Sequence, residues 1–217
     1  MIVDSMTHEE VYQELARDRE AVTRWWRHQL IALERPMIKR KVFPANLWFE
    51  YTSPRKVRYL FFTRIFDKRM KRILTGLAVI RHTPDGLTAY TNWLGHQKLI
   101  TPMVLTSHMW KRYRERAGVK KSGIELVKHY FYANAYGKDT DNHRVMARSV
   151  RWNGEEHQAC CVTDGVLLGQ IVNGIYIART FITYYMCSGK QQEEFESCRK
   201  QIPDDMEMYE QAKIHYV

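Results

Sequence analysis

The stretch that decides the fold is RVMARSVRWNGEEHQACCVTDGVLLGQIVNGIYIARTFITY, residues 144–184. Three turn dipeptides divide it into runs of strand-forming residues: Asn153-Gly154, Asp164-Gly165 and Asn173-Gly174. Asn-Gly and Asp-Gly suit the positive φ angles of tight hairpins, and a spacing of about ten residues is typical of consecutive antiparallel strands. We therefore predict a four-stranded antiparallel meander at about 144–152, 157–163, 166–172 and 175–183.

Two short helices are predicted just before the meander. Thr106 or Ser107 caps the first of them, which runs for about ten residues and ends at Gly118. A capping box that begins at Ser122 opens the second, which continues to about Ala135. These helices are expected to pack on the predicted sheet.

Further strands are predicted upstream of these helices. The apolar runs Ile73–His82 and Leu87–Leu94 flank turn residues and predict a hairpin, and Leu99–Leu105 predicts a short strand. Downstream of the meander, the acidic segment Glu193–Glu210 contains Pro203, which is placed to begin a final helix.

A long helix is predicted at the N-terminus. A capping box at Thr7 opens it, an apolar stripe that includes Trp25 and Trp26 runs along it, and it covers about His8–Leu33. Pro36 is expected to end it. One alternative for its function is a protein-interaction surface, on which the tryptophans pair with a protein partner or with a second copy in a homo-dimer.

The fold class is therefore predicted to be α+β. It comprises a long N-terminal helix, a basic β-rich arm, two short helices packed on a four-stranded antiparallel meander, and C-terminal helices. The chain is divided into residues 1–95, with the helix and the arm, and 96–217, with the helix-plus-sheet core and the acidic C-terminal helix. A single continuous domain is the alternative, since about 100–200 residues is the usual size of one domain.

The charge balance favours a polyanionic partner. The chain has 34 Lys and Arg against 24 Asp and Glu, for a net charge of +10. Residues 35–72 contain twelve of the cations, and their only acids are Glu50 and Asp67. The charge of this segment, +10, is therefore the same as the net charge of the whole chain. Cations bind phosphates and interleaved aromatic rings stack on bases. The alternative is that the rings form the core and the charges are solvated strand faces. The residues predicted to bind nucleic acid, with RNA favoured over DNA, are Arg40, Lys41, Arg55, Lys56, Arg58, Arg64, Lys68, Arg69, Lys71, Arg72 and Lys111.

One candidate catalytic group lies on the first short helix. His108, Arg112 and Arg116 recur at helical spacing and share one face. A histidine can move a proton while guanidinium groups hold a phosphate. The alternative is a solvent-facing basic helix that carries a histidine near its cap.

These residues carry a family resemblance. The pattern H-x-x-x-R-Y-x-E-R at a helix start, followed by a meander that ends in an Arg-Thr strand, resembles the barnase, colicin and RelE-type ribonuclease fold group, which includes members from mobile elements and toxins. It covers about residues 100–185. The resemblance implies a metal-independent endoribonuclease in which Arg179 and Thr183, or alternatively Thr180, face His108 across an RNA-binding cleft. In a regular strand Arg179 and Thr183 share one face and Thr180 lies on the other.

Several function classes are not expected. No zinc-protease, phosphate-loop or dinucleotide motif is present, and Cys160, Cys161, Cys187 and Cys198 form no C-x-x-C pair. We predict no metal and no cofactor, and we interpret the cysteines as mostly buried, reduced thiols of a cytoplasmic protein. No membrane span or signal peptide is predicted. The predicted functions are, in order, nucleic-acid binding, metal-independent ribonuclease activity and protein interaction.

Overall fold

A computed structural model describes residues 2–91, 102–134, 146–152 and 155–200. Its elements in chain order are α1 (His8–Lys39), β1 (Ala45–Thr52), β2 (Arg58–Ile65), β3 (Ile73–Thr83), β4 (Gly86–Thr91), β5 (Met103–Leu105), α2 (Ser107–Arg116), α3 (Gly123–Asn134), β6 (Met146–Trp152), β7 (Glu155–Val162), β8 (Gly165–Val172), β9 (Ile175–Ile182), a 3₁₀ turn (Tyr184–Met186) and α4 (Gly189–Lys200).

The described strands form one sheet in the order β1-β2-β3-β4-β5-β9-β8-β7-β6. Neighbouring strands are antiparallel except β5 and β9, which pair in parallel. The predicted α+β class, the meander and the hairpin around residues 83–86 are confirmed. The parallel pair was not predicted. It joins the strands before α2 to the meander. The division of the chain into two domains at residue 95 stays a prediction.

Helices cover both faces of the sheet. On one face α2 and α3 contribute Trp110, Tyr113 and Phe131 to a core with Phe62 and Phe181. On the other face Val11, Leu15 and Val22 of α1 pack against Phe61 and Tyr90. Because strand side chains alternate between faces, the aromatic strand residues are shared between these two layers. Phe195 of α4 packs beside Val166 and Tyr184 in a smaller cluster.

The N-terminal helix is longer than predicted. Its capping box at Thr7 is confirmed, but Pro36 lies inside the helix, which continues to Lys39. Proline removes one backbone donor and normally ends a helix. Here Met37, the next residue, is only 4 % exposed and packs against Ala45 and Ile65. That packing stabilises one more turn.

Both ends of α2 agree with their local signals, whereas the described hydrogen bonds include none of the capping box predicted at Ser122 for α3. Thr106 caps α2, and Gly118 follows it with φ +66°. The second short helix is α3, which begins at Gly123. Three earlier predictions lie partly or wholly outside the described residues: the strand ends at Leu94 and Leu99, and the helix at Pro203.

Candidate nucleic-acid interface

The basic segment is divided between the two ends of the sheet. The β1–β2 turn carries Arg55, whose guanidinium binds the buried carboxylate of Glu14 and lies 3.8 Å from that of Asp18. The hydrogen bond from Arg55 lowers the pKa of Glu14. Arg58 pairs in the same way with Glu50 on the neighbouring strand. At this end, therefore, Arg55 and Arg58 form ion pairs between elements of the fold. Lys56, the third predicted binding residue here, is exposed and has no ion pair with a described residue.

Two more of the predicted binding residues have intramolecular partners. Arg64 donates to Asn46 Oδ1 at 2.9 Å and to the carbonyl of Tyr132 at 3.2 Å, and so links β2 to β1 and α3. The guanidinium of Arg72 stacks over the ring of Phe66 at 4.3 Å. Both side chains are half-buried.

The remaining cations gather at the opposite end of the sheet, where β1 begins, β2 ends and β3 begins. Met37, Ala45 and Ile65 form a buried cluster there, and Phe43 and Met70 pack on it. This cluster joins the last turn of α1 to the β2–β3 loop. We call the exposed cations around it the basic end of the sheet: Arg35, Lys39, Arg40, Lys41, Lys68, Arg69 and Lys71.

The β2–β3 loop presents its cations without depending on them. Asp67 accepts the backbone N–H groups of Arg69 at 2.8 Å and Lys71 at 3.5 Å. Met70 takes φ +51° and packs its side chain inward. The side chains of Lys68, Arg69 and Lys71 play no part in these contacts and extend into solvent.

Charge at the basic end is strongly one-sided. Residues 34–42 and 66–72 contain eight Lys and Arg against Glu34 and Asp67, which leaves +6. Asp67 is already engaged by the loop backbone. Ile38 and Val42 are 63 % and 71 % exposed beside the cations. A surface of this kind attracts polyanions and presents apolar groups between the charges.

None of the eight aromatic rings of residues 35–72 is exposed, and three of them are buried. Tyr59, Phe61 and Phe62 are at most 1 % exposed. Trp25 stacks on Tyr51 at 4.8 Å and Trp26 stacks on Phe61 at 4.8 Å. The alternative interpretation of the rings is therefore confirmed for these residues. The two tryptophans of α1 pack on the sheet of their own chain, which accounts for the apolar stripe that suggested a partner.

On α2, His108 and Arg112 lie together as predicted. His108 is exposed, and Arg112 Nε donates to its Nε2 at 3.4 Å. Arg112 also pairs with Glu115 at 3.0 Å. One face of α2 therefore presents an imidazole, a guanidinium and a carboxylate to solvent. Lys111 is exposed on a different side of the helix.

Arg116 faces the sheet. Its Nη1 donates to the carbonyl of Phe181 and lies 3.5 Å from Thr180 Oγ1. Burial and then the nearby Arg112 lower the pKa of Arg116, although an arginine remains charged at neutral pH. It thus serves to join α2 to β9, with a polar residue of that strand beside it.

The last strand is not regular, which changes the predicted faces. A register shift between Leu168 and Gly169 leaves Arg179 as an extra residue opposite them, as in a β-bulge. Arg179 is exposed, and Thr183 caps the 3₁₀ turn. Within the described residues, no hydrogen bond or ion pair joins either of them to His108. Of the three strand residues named by the resemblance, Thr180 is the one in contact with α2, through Arg116.

Sequence reasoning did not identify the buried acids of α1. Glu14 and Asp18 are 5 % and 2 % exposed and recur four residues apart, on the apolar stripe. The signal in the sequence is the position of these carboxylates on the apolar stripe of an amphipathic helix. Buried acids are normally paired, so that position indicates a cationic or hydrogen-bonding partner.

Other predicted features concern thiols, metals and membranes. Cys160 and Cys187 are buried, and burial raises the pKa of the Cys160 thiol to about 12. The side chain of Cys198 lies outside the described set. In the part of the chain that the structure describes, no group of three His, Cys, Asp or Glu is arranged to hold a metal, and no helix is long and apolar enough to cross a membrane.

Comparison with known proteins yields no relative. The chain matches no protein-family model, no curated protein sequence and no solved structure.

Proposed function

We propose that the protein binds nucleic acid, with RNA favoured over DNA, through the basic end of the sheet. The observation that carries the proposal is the gathering of seven exposed cations around the cluster of Met37, Ala45 and Ile65. They come from two segments about thirty residues apart, and few acids oppose them. RNA is favoured because of the resemblance to the ribonuclease fold group.

Phosphate contacts make the affinity depend on salt. Each neutralised phosphate releases counterions, so the logarithm of the binding constant falls with the logarithm of the salt concentration in proportion to the number of contacts. If five cations of the basic end bind phosphates of a single strand, the slope is about −3.5. Binding is measured by gel shift and fluorescence anisotropy with labelled 20-nucleotide RNA and DNA, at several salt concentrations and in EDTA.

The triple substitution Lys68→Gln, Arg69→Gln, Lys71→Gln tests the location. It removes three charges from a loop whose shape depends on Asp67 and Met70. We expect the salt dependence to become shallower, with the slope changing by about 2 toward zero, and the affinity at low salt to fall at least tenfold.

A charge-matched control separates this surface from general electrostatic attraction. Arg27, Lys190 and Arg199 are exposed and lie away from the basic end, on α1 and on α4. Their replacement by Gln is expected to change the slope by less than 1. Equal losses in the two triple variants, or no salt-dependent binding by the wild-type protein, would contradict the proposal.

A second candidate function is metal-independent RNA cleavage on α2. It is favoured by the exposed His108, with Arg112 at 3.4 Å beside it. In such a reaction the 2′-oxygen attacks the adjacent phosphorus while a base takes its proton, and the 5′-oxygen leaves with a proton from an acid. The products are a cyclic phosphate and a 5′-hydroxyl. Arg112 would stabilise the charge that develops on the phosphate.

The test is RNA cleavage in EDTA by wild-type protein, His108→Ala and His82→Ala. His82 is also an exposed histidine, but it lies on β3. Cleavage that is lost only in His108→Ala would support the second candidate. Binding without cleavage, or cleavage equal in all three proteins, would exclude His108 as the catalytic base.

A further inference from the structure

A groove lies between the α2–α3 helical hairpin and the start of β4. It has a volume of about 230 Å³, and Leu87, Trp110 and Leu126 supply its apolar lining. Lys111 and Arg114 line it from α2. This side of α2 differs from the side that carries His108 and Arg112, and no predicted site residue except Lys111 belongs to it.

The apolar lining is rigid before any ligand arrives. Trp110 is 4 % exposed, and its Nε1 donates to the carbonyl of Leu105 at 3.1 Å. The Trp110 ring also packs edge-on against Tyr130, with the centroids 5.2 Å apart. The indole is thus fixed by a hydrogen bond on one side and by an aromatic contact on another, so that little order is lost when a ligand binds.

The rim of the groove is cationic and lacks intramolecular partners within the described chain. Lys111 and Arg114 are exposed. Neither side chain forms an ion pair with an acid among the described residues. The two nearest acids along the helices have other partners, since Glu115 pairs with Arg112 and Glu125 with Lys128. Lys120 and Lys121 in the α2–α3 loop add two more exposed cations nearby.

The apolar lining lies beside two cations, Lys111 and Arg114. This combination fits a ligand that has one flat apolar part and one anionic part. The volume lies below the ~300–1,000 Å³ of pockets that hold drug-sized ligands, so the groove suits a small unit. A nucleotide has this chemistry: its base would cover the apolar lining, and its phosphate would lie between Lys111 and Arg114. Base contact would also supply what the basic end lacks, because no aromatic ring of the basic segment is exposed.

We propose that this groove is a single-nucleotide subsite, in which one base of a bound RNA strand contacts Leu87, Trp110 and Leu126 and its phosphate binds Lys111 and Arg114. This inference rests on the proposed function. The eleven residues of β3 run from the basic end toward the groove, a length of about 35 Å, so the test strand must be long enough to reach both.

The experiment compares a 20-nucleotide oligouridylate with the same strand made of abasic nucleotides, which keeps every phosphate and removes every base. Wild-type protein is expected to bind the base-bearing strand about tenfold more tightly, which is the gain expected when about 50 Å² of apolar surface leaves water. Ser122→Trp fills the groove from an exposed lining position and keeps both cations. It is expected to bind the two strands equally and to bind the abasic strand as wild type does.

Two further variants test the cations. Lys111→Gln with Arg114→Gln is expected to weaken binding of both strands, whereas Lys190→Gln, on α4, is expected to leave both unchanged. If Ser122→Trp still prefers the base-bearing strand tenfold, the subsite is wrong while RNA binding stands.

A mononucleotide arm keeps the two proposals distinguishable. Uridine monophosphate is titrated into wild-type protein and Ser122→Trp, with the chemical shifts of the tryptophan indole N–H groups as the readout. If RNA does not bind at all, the basic-end proposal fails. Shifts that appear only in wild type would then still support a nucleotide groove, and their absence would overturn it.

Discussion

At the residue scale, the buried carboxylate of Asp18 organises the contact between α1 and the β1–β2 turn. It accepts hydrogen bonds from Ser53 Oγ and from Tyr59 OH, the latter at 2.8 Å, and lies 3.8 Å from the guanidinium of Arg55. Burial and the bond to Asp18 raise the pKa of Tyr59 above its usual value, which keeps the phenol protonated as a donor.

Replacement of Asp18 by Ala should be strongly destabilising. It leaves the buried hydroxyl groups of Ser53 and Tyr59 without their acceptor, while Arg55 keeps its bond to Glu14. Each hydroxyl group left without an acceptor costs about 1–3 kcal/mol. Urea unfolding is the measurement. Glu20→Ala is the control, because Glu20 is exposed and pairs only with Arg24 on the helix surface, so its loss should be about 0.5 kcal/mol or less. A comparable loss in the two variants would contradict the role given to Asp18.

His8 should make stability depend on pH. Its Nδ1 lies 3.0 Å from Tyr90 OH, and burial, followed by the charge of Arg81, lowers its pKa from 6.5. The unfolded chain therefore takes up the proton first as the pH falls. The contribution of neutral His8 is fully present above pH 6.5, begins to decline there, and is lost as the pH falls through the lower pKa of the folded state.

The measurement is the free energy of unfolding at pH 7.5 and pH 5 for wild type and His8→Gln. All other titrating groups are common to the two proteins, so the difference isolates His8. Wild type should lose more stability than the variant over this interval. An equal or smaller loss would show that His8 titrates normally in the folded protein.

At the element scale, the pairing of β2 with β3 depends on a glycine. Gly76 lies opposite Phe62, and a Cβ at Gly76 would lie 1.5 Å from the ring of Phe62. The ring covers the glycine and stacks on Phe131 of α3 at a centroid distance of 4.0 Å. The missing side chain thus makes room for the contact that joins the sheet to α3.

Gly76→Ala is therefore expected to destabilise the protein by about 1–3 kcal/mol, because the Phe62 ring must leave its place. Thermal unfolding followed by circular dichroism measures the effect. Gly174→Ala is the comparison variant. A Cβ at Gly174 would have no neighbour within 4 Å, so the only strain in this variant comes from the backbone φ of +77°. A Gly76 variant as stable as wild type would mean that the ring can turn aside freely.

Local patterns predicted the elements well where one short signal decides them. The turns Asp164-Gly165 and Asn173-Gly174 locate β7, β8 and β9 within one or two residues. Pro36 misled the prediction because packing of Met37 outweighs a local signal. The bulge at Arg179 and the parallel pairing of Met103 with Tyr176 depend on distant partners, which no local period records.

The candidate site was predicted in part for the same reason. The cations were recognisable from composition, but their division between the two ends of the sheet follows from strand direction. Arg55 and Arg58 read like Lys68 and Arg69 in the sequence, yet only the first two have buried or neighbouring carboxylates as partners. The acids that neutralise them are far away in the chain or on another strand.

At the scale of the whole molecule, one continuous sheet should make unfolding cooperative. Strands of residues 1–95 and 96–217 meet where β4 pairs with β5, which in turn pairs with β9. The hydroxyl of Tyr12 on α1 spans the same junction, 2.9 Å from the carbonyl of Thr91 on β4 and 2.6 Å from that of Met103 on β5. We expect urea unfolding followed by far-ultraviolet circular dichroism and by tryptophan fluorescence to give coincident single transitions. Two separated transitions would instead indicate that residues 1–95 and 96–217 unfold as independent domains.

The parallel β5–β9 pair has a consequence for synthesis on the ribosome. Met103 emerges well before its partner Tyr176, 73 residues later by their numbers, which corresponds to about 4–15 s at usual elongation rates. During that interval the nascent N-terminal strands have an open edge at β5, of the kind that pairs with other chains. We therefore expect the yield of this protein in a cell to depend on how quickly translation proceeds through the segment between these strands. We also expect it to depend on whether the growing chain is kept apart from its neighbours until β9 has emerged.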